Sequence, residues 1–273
     1  MLDGLASAEA ALANVERKHP LVIDDIDFDV RDRARLAERL ARPLAYAQRV
    51  EAVVTGLGIE MLLPRHGSVV RRFLTVWTDD ETTHGDALAM LLRELGLPHY
   101  ELHPSRLPPH NYLAKLLGDL SERAHQIVEM IWATQGAMNE HLAMCAYLRM
   151  GAIAQELGER RLYETLFRRL RAHEAAHKAF YAAHAREVGA TLRPWQQRVA
   201  RSIVVTTYAP VGAGGRVDKP AFGHTVQDLA GDDRWEDVIA DPVQLVAERL
   251  LADGESLPPF VRRSVERCLE TVA

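Results

Sequence analysis

Cysteine is nearly absent from this chain. Cys145 and Cys268 are the only two in 273 residues, too few for a disulfide framework or a cysteine-built zinc site. That usage suits a reducing cytoplasm. Long apolar runs are missing as well: no stretch of about 18 apolar residues occurs, so no membrane span is predicted. A basic excess is also lacking. The 33 Lys and Arg are outnumbered by 38 Asp and Glu, a formal charge of −5, which leaves no electrostatic footprint for nucleic acid. The first twenty residues open with an acid and do not show the charged-then-apolar layout of a secretory signal. Together these absences predict a soluble cytoplasmic protein. The glycine run Gly212-Ala213-Gly214-Gly215-Arg216 lacks the Lys-Ser/Thr and flanking strand of a phosphate loop, so it reads as a linker. Alternating β-branched stretches are scarce, which excludes a sheet-based core.

What the chain has in quantity is helical periodicity. Apolar residues recur at three- and four-residue spacing across 29–189. One helix is predicted from Asp29 to Glu60, with Pro43 marking either its true start or a kink. A second runs from Ser68 to Leu95 and is stopped by Gly96 and Pro98. The Pro-rich segment 98–112 reads as a crossing loop. A third helix begins at the capping-box spacing Asp119 to Glu122 and reaches Leu157, and a fourth runs from Glu159 to Val188. Short loops inside each pair and one long connection between pairs give the ferritin-like four-helix topology. A helical stretch continues to about Val205. The Gly-rich loop 209–224 follows, and two short helices, Pro242–Leu251 and Leu257–Val272, close the chain. The predicted organisation is an N-terminal segment 1–28, an all-α bundle 29–206, and C-terminal helices 207–273 packing on it.

Two Glu-x-x-His pairs, Glu81/His84 and Glu174/His177, lie on the second and fourth helices. Residues three apart share a helix face, so each pair aims a carboxylate and an imidazole at one point. The spacing alone is cheap: 21 Glu and 12 His in 273 residues give about one such match at random. Height along the bundle selects the real ones. Glu51 on the first helix and Glu81 on the second are about equally far from their connecting loop, as are Glu140 and Glu174 about theirs. All four carboxylates therefore fall at mid-bundle, where an unpartnered charge is costly. Two divalent ions against four carboxylates and two neutral imidazoles balance the charge, and this is the ligand set of a di-iron or di-manganese carboxylate site. Glu122/His125 has the same spacing but lies 18 residues before Glu140, roughly 27 Å along the axis, and is excluded on height. Glu38 and Glu60 are ranked below Glu51 for the same reason. His141 and His173 adjoin ligands but point about 100° away. The arginines at 160, 161, 168, 169 and 171 read as a solvated face, or as a docking surface for an acidic carrier protein.

The string Trp77-Thr78-Asp79-Asp80-Glu81-Thr82-Thr83-His84-Gly85 resembles the second ligand helix of the soluble acyl-acyl-carrier-protein desaturases, Trp-Thr-Ala-Glu-Glu-x-Arg-His-Gly. The segment from His173 to Tyr181, with Glu174 and His177, is similar to that family's second motif, Asp-Glu-x-x-His followed by aromatics. The likeness covers roughly 46–188. It implies Glu51, Glu81, His84, Glu140, Glu174 and His177 as the ligands of two iron ions, with manganese as the alternative metal. It further implies O2 as co-substrate, a ferredoxin-type electron donor, an acyl-carrier protein bearing the substrate, and a homodimer. The chain departs from the pattern at Thr83 and Ala176, where the family has Arg, at His173 in place of Asp, and at Ala143 in place of Thr. The leading expectation is thus an acyl desaturase. The alternatives are a di-iron oxygenase or oxidase acting on another small substrate, and a non-redox, ferritin-like metal-binding bundle.

Overall fold

Asp32 opens the first long helix: its carboxylate accepts the N–H of Arg35 at 3.0 Å, an N-cap that satisfies one of the orphan donors of the first turn. The computed structural model describes residues 7–18, 20–56, 67–101, 116, 118–119, 121–213, 218–238 and 258–273. Its helices of ten or more residues are α1 (Ala8–Arg17), α2 (Arg33–Gly56), α3 (Ser68–Glu94), α4 (Glu122–Glu156), α5 (Arg168–Thr191), α6 (Pro194–Thr207), α7 (Asp218–Ala230) and α8 (Pro259–Leu269). No strand occurs among the described residues.

The helix boundaries follow local chemistry. α2 passes through Pro43 without ending. α4 is capped by Ser121, whose hydroxyl accepts the N–H of Ala124, and not by Asp119 as the capping-box spacing predicted. Gly96 and Gly158, at φ +69° and +83°, end the runs before them in a left-handed conformation that other residues adopt only at a cost. The fourth predicted helix is built in three parts: a turn at Arg160–Leu162, a π-helical turn at Tyr163–Phe167, and α5. Glu159 is buried, and its carboxylate accepts the N–H groups of Arg31 and Asp32 at 3.0 and 3.1 Å. This contact ties the start of α2 to the turn after α4.

α2 packs along α3 and α4 along α5. Two apolar clusters fill the bundle. One gathers Phe73, Leu74, Trp77, Met138, Phe180 and Tyr181; the other gathers Leu40, Leu44, Leu88, Leu91, Met150 and Leu170. On α3 and α4 the first cluster comes earlier in sequence, while on α5 it comes later, so α3 and α4 run in the same direction and α5 against them. A parallel arrangement of consecutive helices needs a long connection, which is what separates Glu94 from Glu122. Gly136 permits close packing here: a Cβ at that position would meet the Tyr181 ring at 2.4 Å.

Two of these longer helices lie outside the sequence expectation. Residues 8–17, read only as part of an N-terminal segment, form α1, which packs on α5 and α3. Helix α7 begins at Asp218, inside the stretch read as a Gly-rich loop. It packs on α2, and α8 packs on it. Arg42 and Arg49 of α2 pair with Asp228 and Asp218 of α7, contacts that a composition reading of 209–224 does not contain. The predicted helix Pro242–Leu251 and the crossing loop from residue 102 onward lie outside the described residues. No described helix is long and apolar enough to cross a membrane.

Candidate metal centre

Between the two apolar clusters runs a belt of buried polar side chains, with contributions from all four long helices: Glu51 from α2, Glu81 and His84 from α3, Glu140 from α4, Glu174 and His177 from α5. None is more than 7% exposed. The structure brings all six sequence-selected residues together. Ligand atoms of Glu51, Glu81, His84 and Glu174 lie within 4.8 Å of one another, and so do those of Glu81, Glu140, Glu174 and His177. Among the described residues these are the two groups of three or more His, Cys, Asp or Glu side chains that meet this distance. Glu81 and Glu174 belong to both groups.

Each shared carboxylate faces both histidines. Glu174 turns Oε1 toward His84 Nδ1 at 3.1 Å and Oε2 toward His177 Nδ1 at 3.6 Å. Glu81 turns Oε2 toward His84 Nδ1 at 3.5 Å and Oε1 toward His177 Nδ1 at 3.2 Å. Both imidazoles thus present Nδ1 to the interior of the belt. Those two nitrogens, both oxygens of Glu174 and Oε1 of Glu81 are buried without a hydrogen-bond partner. A buried polar atom without a partner costs on the order of 1–3 kcal/mol. Five of them aimed at one small volume leave a cluster that could hold metal ions.

The outer atoms are all held. His177 Nε2 sits 2.9 Å from Asp80 Oδ2, and Asp80 in turn pairs with Lys18, just past the end of α1. His84 Nε2 sits 3.1 Å from His173 Nδ1. The Tyr147 hydroxyl donates to Glu51 Oε1, and the Trp77 indole N–H donates to Glu140 Oε1 at 2.9 Å. A ligating histidine whose second nitrogen donates outward, and a carboxylate fixed by a donor, are the usual supports of a metal site.

Electrostatics agree with the geometry. Burial, reinforced by neighbouring Glu81, pushes Glu51 well above the usual carboxylate range. Burial lifts Glu81 to about 7 against a lowering contact with Glu51. Burial and the Glu81 charge lift Glu140 to about 7. Burial with Glu81 and Glu140 beside it raises Glu174 strongly. Burial lowers His84 to about 4, holding it neutral. Asp80 behaves oppositely: burial would raise it, but its contacts with His177 and Lys18 bring it down to about 2. Four carboxylates crowded out of water resist ionising together unless cations join them.

The residues set aside by height stay apart. Glu122 and Glu38 are exposed, and His125 faces Glu129 at 3.7 Å. Glu60 lies outside the described residues. Glu122→Ala is accordingly expected to leave metal content per chain unchanged, as measured by elemental analysis; loss of metal there would remove the height criterion. His141 contacts Cys145 and Lys178. The sequence reading did not single out Lys18, Asp80 or Tyr147. Tyr147 was the most accessible of these: it lies seven residues after Glu140, two turns on the same face of α4.

On the Glu51 side the belt borders an apolar cavity of about 60 Å³. Its walls include Val50 of α2, Leu142 and Ala143 of α4, and Phe222, Val226 and Leu229 of α7, with Glu51 and Tyr147 at the margin toward the belt. Ala143 is the position at which the desaturase pattern carries Thr. Comparison with protein-family models, with curated proteins and with solved structures finds no match.

Proposed function

We propose that this chain is a ferritin-like di-metal oxidoreductase that uses O2 to oxidise an apolar substrate held beside Glu51. The full reading is desaturation of an acyl chain on a carrier protein, with a ferredoxin-type electron donor and a homodimeric assembly. The observation that carries the proposal is the cradle of unpartnered atoms on His84, His177, Glu81 and Glu174, flanked by Glu51 and Glu140. Four carboxylates and two imidazoles with no thiolate suit iron or manganese better than softer metals. Such ions supply O2 activation when bound. Glu81 and Glu174 span the two positions. Glu51 and Glu140 would each serve one position, with Tyr147 donating to Glu51 and Trp77 to Glu140. Tyr147 holds one oxygen of Glu51, and Glu51 would supply its carboxylate to the ion on the cavity side.

The cavity supports an apolar substrate, because its walls offer carbon and methyl surface and its polar groups are turned to the metal belt or engaged. Thr225, which also lines it, bonds back to the Ala221 carbonyl. Helix α7 supplies one wall, a role that a storage bundle would not require. Ala143→Phe is expected to fill this space and lower substrate oxidation at least tenfold while metal content stays at the wild-type level. Undiminished turnover in that variant would move the substrate elsewhere.

A second reading rests on size. About 60 Å³ is closer to a small molecule than to a long acyl chain, which favours hydroxylation or oxidation of a compact apolar substrate. One experiment separates the two. The iron-loaded chain is incubated aerobically with ferredoxin, a reductant and a panel of acyl-carrier proteins, and intact masses are read. Loss of two hydrogens supports desaturation, and gain of one oxygen supports hydroxylation of the same chain. Unchanged carriers with O2 still consumed support the small-substrate reading, and no O2 consumption removes the oxidoreductase.

A further inference from the structure

The two halves of the belt are supported differently. The residue preceding each ligand Glu reaches across to the histidine of the opposite helix: Asp80, before Glu81, meets His177, and His173, before Glu174, meets His84. The arrangement has approximate two-fold logic, but one support is a carboxylate and the other an imidazole. A carboxylate accepting the Nε2–H of His177 fixes the tautomer that leaves Nδ1 bare and makes that nitrogen a stronger donor to a cation. Lys18 holds Asp80 from the end of α1, so this acceptor is itself fixed in place.

His84 has a weaker arrangement. Its Nε2 faces Nδ1 of His173, and either ring can donate to the other. If His84 donates, its Nδ1 is bare and ready for an ion. If His173 donates, a neutral His84 carries its hydrogen on Nδ1, pointing into the cradle between Glu81 and Glu174. Behind His84 stands an imidazole where His177 has a carboxylate, a weaker acceptor for the outer N–H of a ligating ring. Asp80 Oδ1 lies 3.6 Å from His173 Nδ1, beyond hydrogen-bond length, so it supports His84 only at one remove. Each terminal carboxylate also accepts a neutral donor, Tyr147 O–H on Glu51 and the Trp77 N–H on Glu140.

We propose that the two metal positions are unequal: the one on His177 and Glu140, backed by Asp80 and Lys18, fills first and holds its ion more tightly than the one on His84 and Glu51, backed by His173. This rests on the di-metal reading and adds an order of assembly to it. Loss of a hydrogen-bonding partner behind a ligand typically changes metal affinity 10–100-fold, and a carboxylate-for-imidazole difference falls in that range.

The test is an anaerobic titration of the metal-free full chain with Co(II), following d–d absorbance and heat together. Wild type is expected to bind two ions in two resolved steps. Asp80→Asn should weaken the first step about 10-fold or more and the second much less. His173→Asp should tighten the second step toward the first. Circular dichroism on each metal-free variant confirms that the helices are retained, and the two substitutions act in opposite directions, so misfolding cannot mimic the pattern. Two equal steps in wild type, or Asp80→Asn weakening both alike, overturn the inequality and leave the di-metal reading standing. Failure of wild type to bind any ion overturns both.

Discussion

Replacing Glu174 by alanine is expected to abolish binding of both ions, whereas Glu140→Ala removes one position and weakens the other. Glu174 belongs to both ligand groups and turns one oxygen toward each histidine, while Glu140 belongs to one. The effect on stability should appear only when metal is present. An ion at about 1,000 times its Kd stabilises the folded chain by roughly 4 kcal/mol, and each kcal/mol moves the midpoint of a domain this large by about 2–4 °C. Wild type should therefore melt on the order of 10 °C higher or more with iron or manganese than with chelator. Glu174→Ala should melt at one temperature in both. Its metal-free form should stay close to metal-free wild type, because the removed carboxyl had two buried oxygens without partners. Elemental analysis and paired melts with and without chelator check this. A Glu174→Ala variant that keeps two ions, or a wild type indifferent to chelator, would refute the ligand assignment.

The six belt residues were legible in the sequence because helical geometry is rigid. Residues three apart must share a face, and 1.5 Å per residue fixes relative height, so Glu51 against Glu81 and Glu140 against Glu174 could be matched from their distance to a loop. The layer behind them was not legible, since it depends on how helices rotate against each other. Asp80 points about 100° from Glu81 on its own helix and becomes useful only because α5 brings His177 to it. Lys18 contributes because α1 docks on α3 and α5, and neither the docking nor its register is written in local periodicity. The π-helical turn at Tyr163–Phe167 carries no proline or glycine, the residues that normally mark a helix irregularity. Helix α7 was obscured by the glycines just before it: composition across 209–224 reads as linker, yet from Asp218 onward burial of Phe222, Val226 and Leu229 supplies what local propensity does not.

Raising the pH from about 6.5 to 8 should destabilise the metal-free chain and strengthen metal binding, so the melting curves with and without metal separate as pH rises. The sign follows from the carboxylates. Glu81 and Glu140 titrate near 7 when folded, above the ordinary value near 4.3 of an unfolded chain. Their contribution is fully present below the unfolded value and is lost as pH climbs through about 7, because the folded belt must then release protons that the unfolded chain has already lost. Glu51 and Glu174 are displaced in the same direction and extend the loss upward. His84 opposes them: with its folded value brought down to about 4, its contribution is present above about 6.5 and fades as pH falls toward 4. Above 6.5 it is nearly constant, so it does not offset the carboxylates across this window. Each proton that the folded belt retains and the unfolded chain lacks costs about 1.4 kcal/mol of stability for every pH step of one, so the loss across the window amounts to a few kcal/mol. Bound cations reverse it by replacing the protons, and each ion taken up should expel more protons at pH 6.5 than at pH 8. Calorimetry in two buffers of different ionisation heat counts those protons directly. Proton release that is zero at both pH values, with a metal-free melting temperature flat from 6.5 to 8, would mean that the four glutamates are already ionised in the fold and that the belt is not held neutral by protons in the absence of metal.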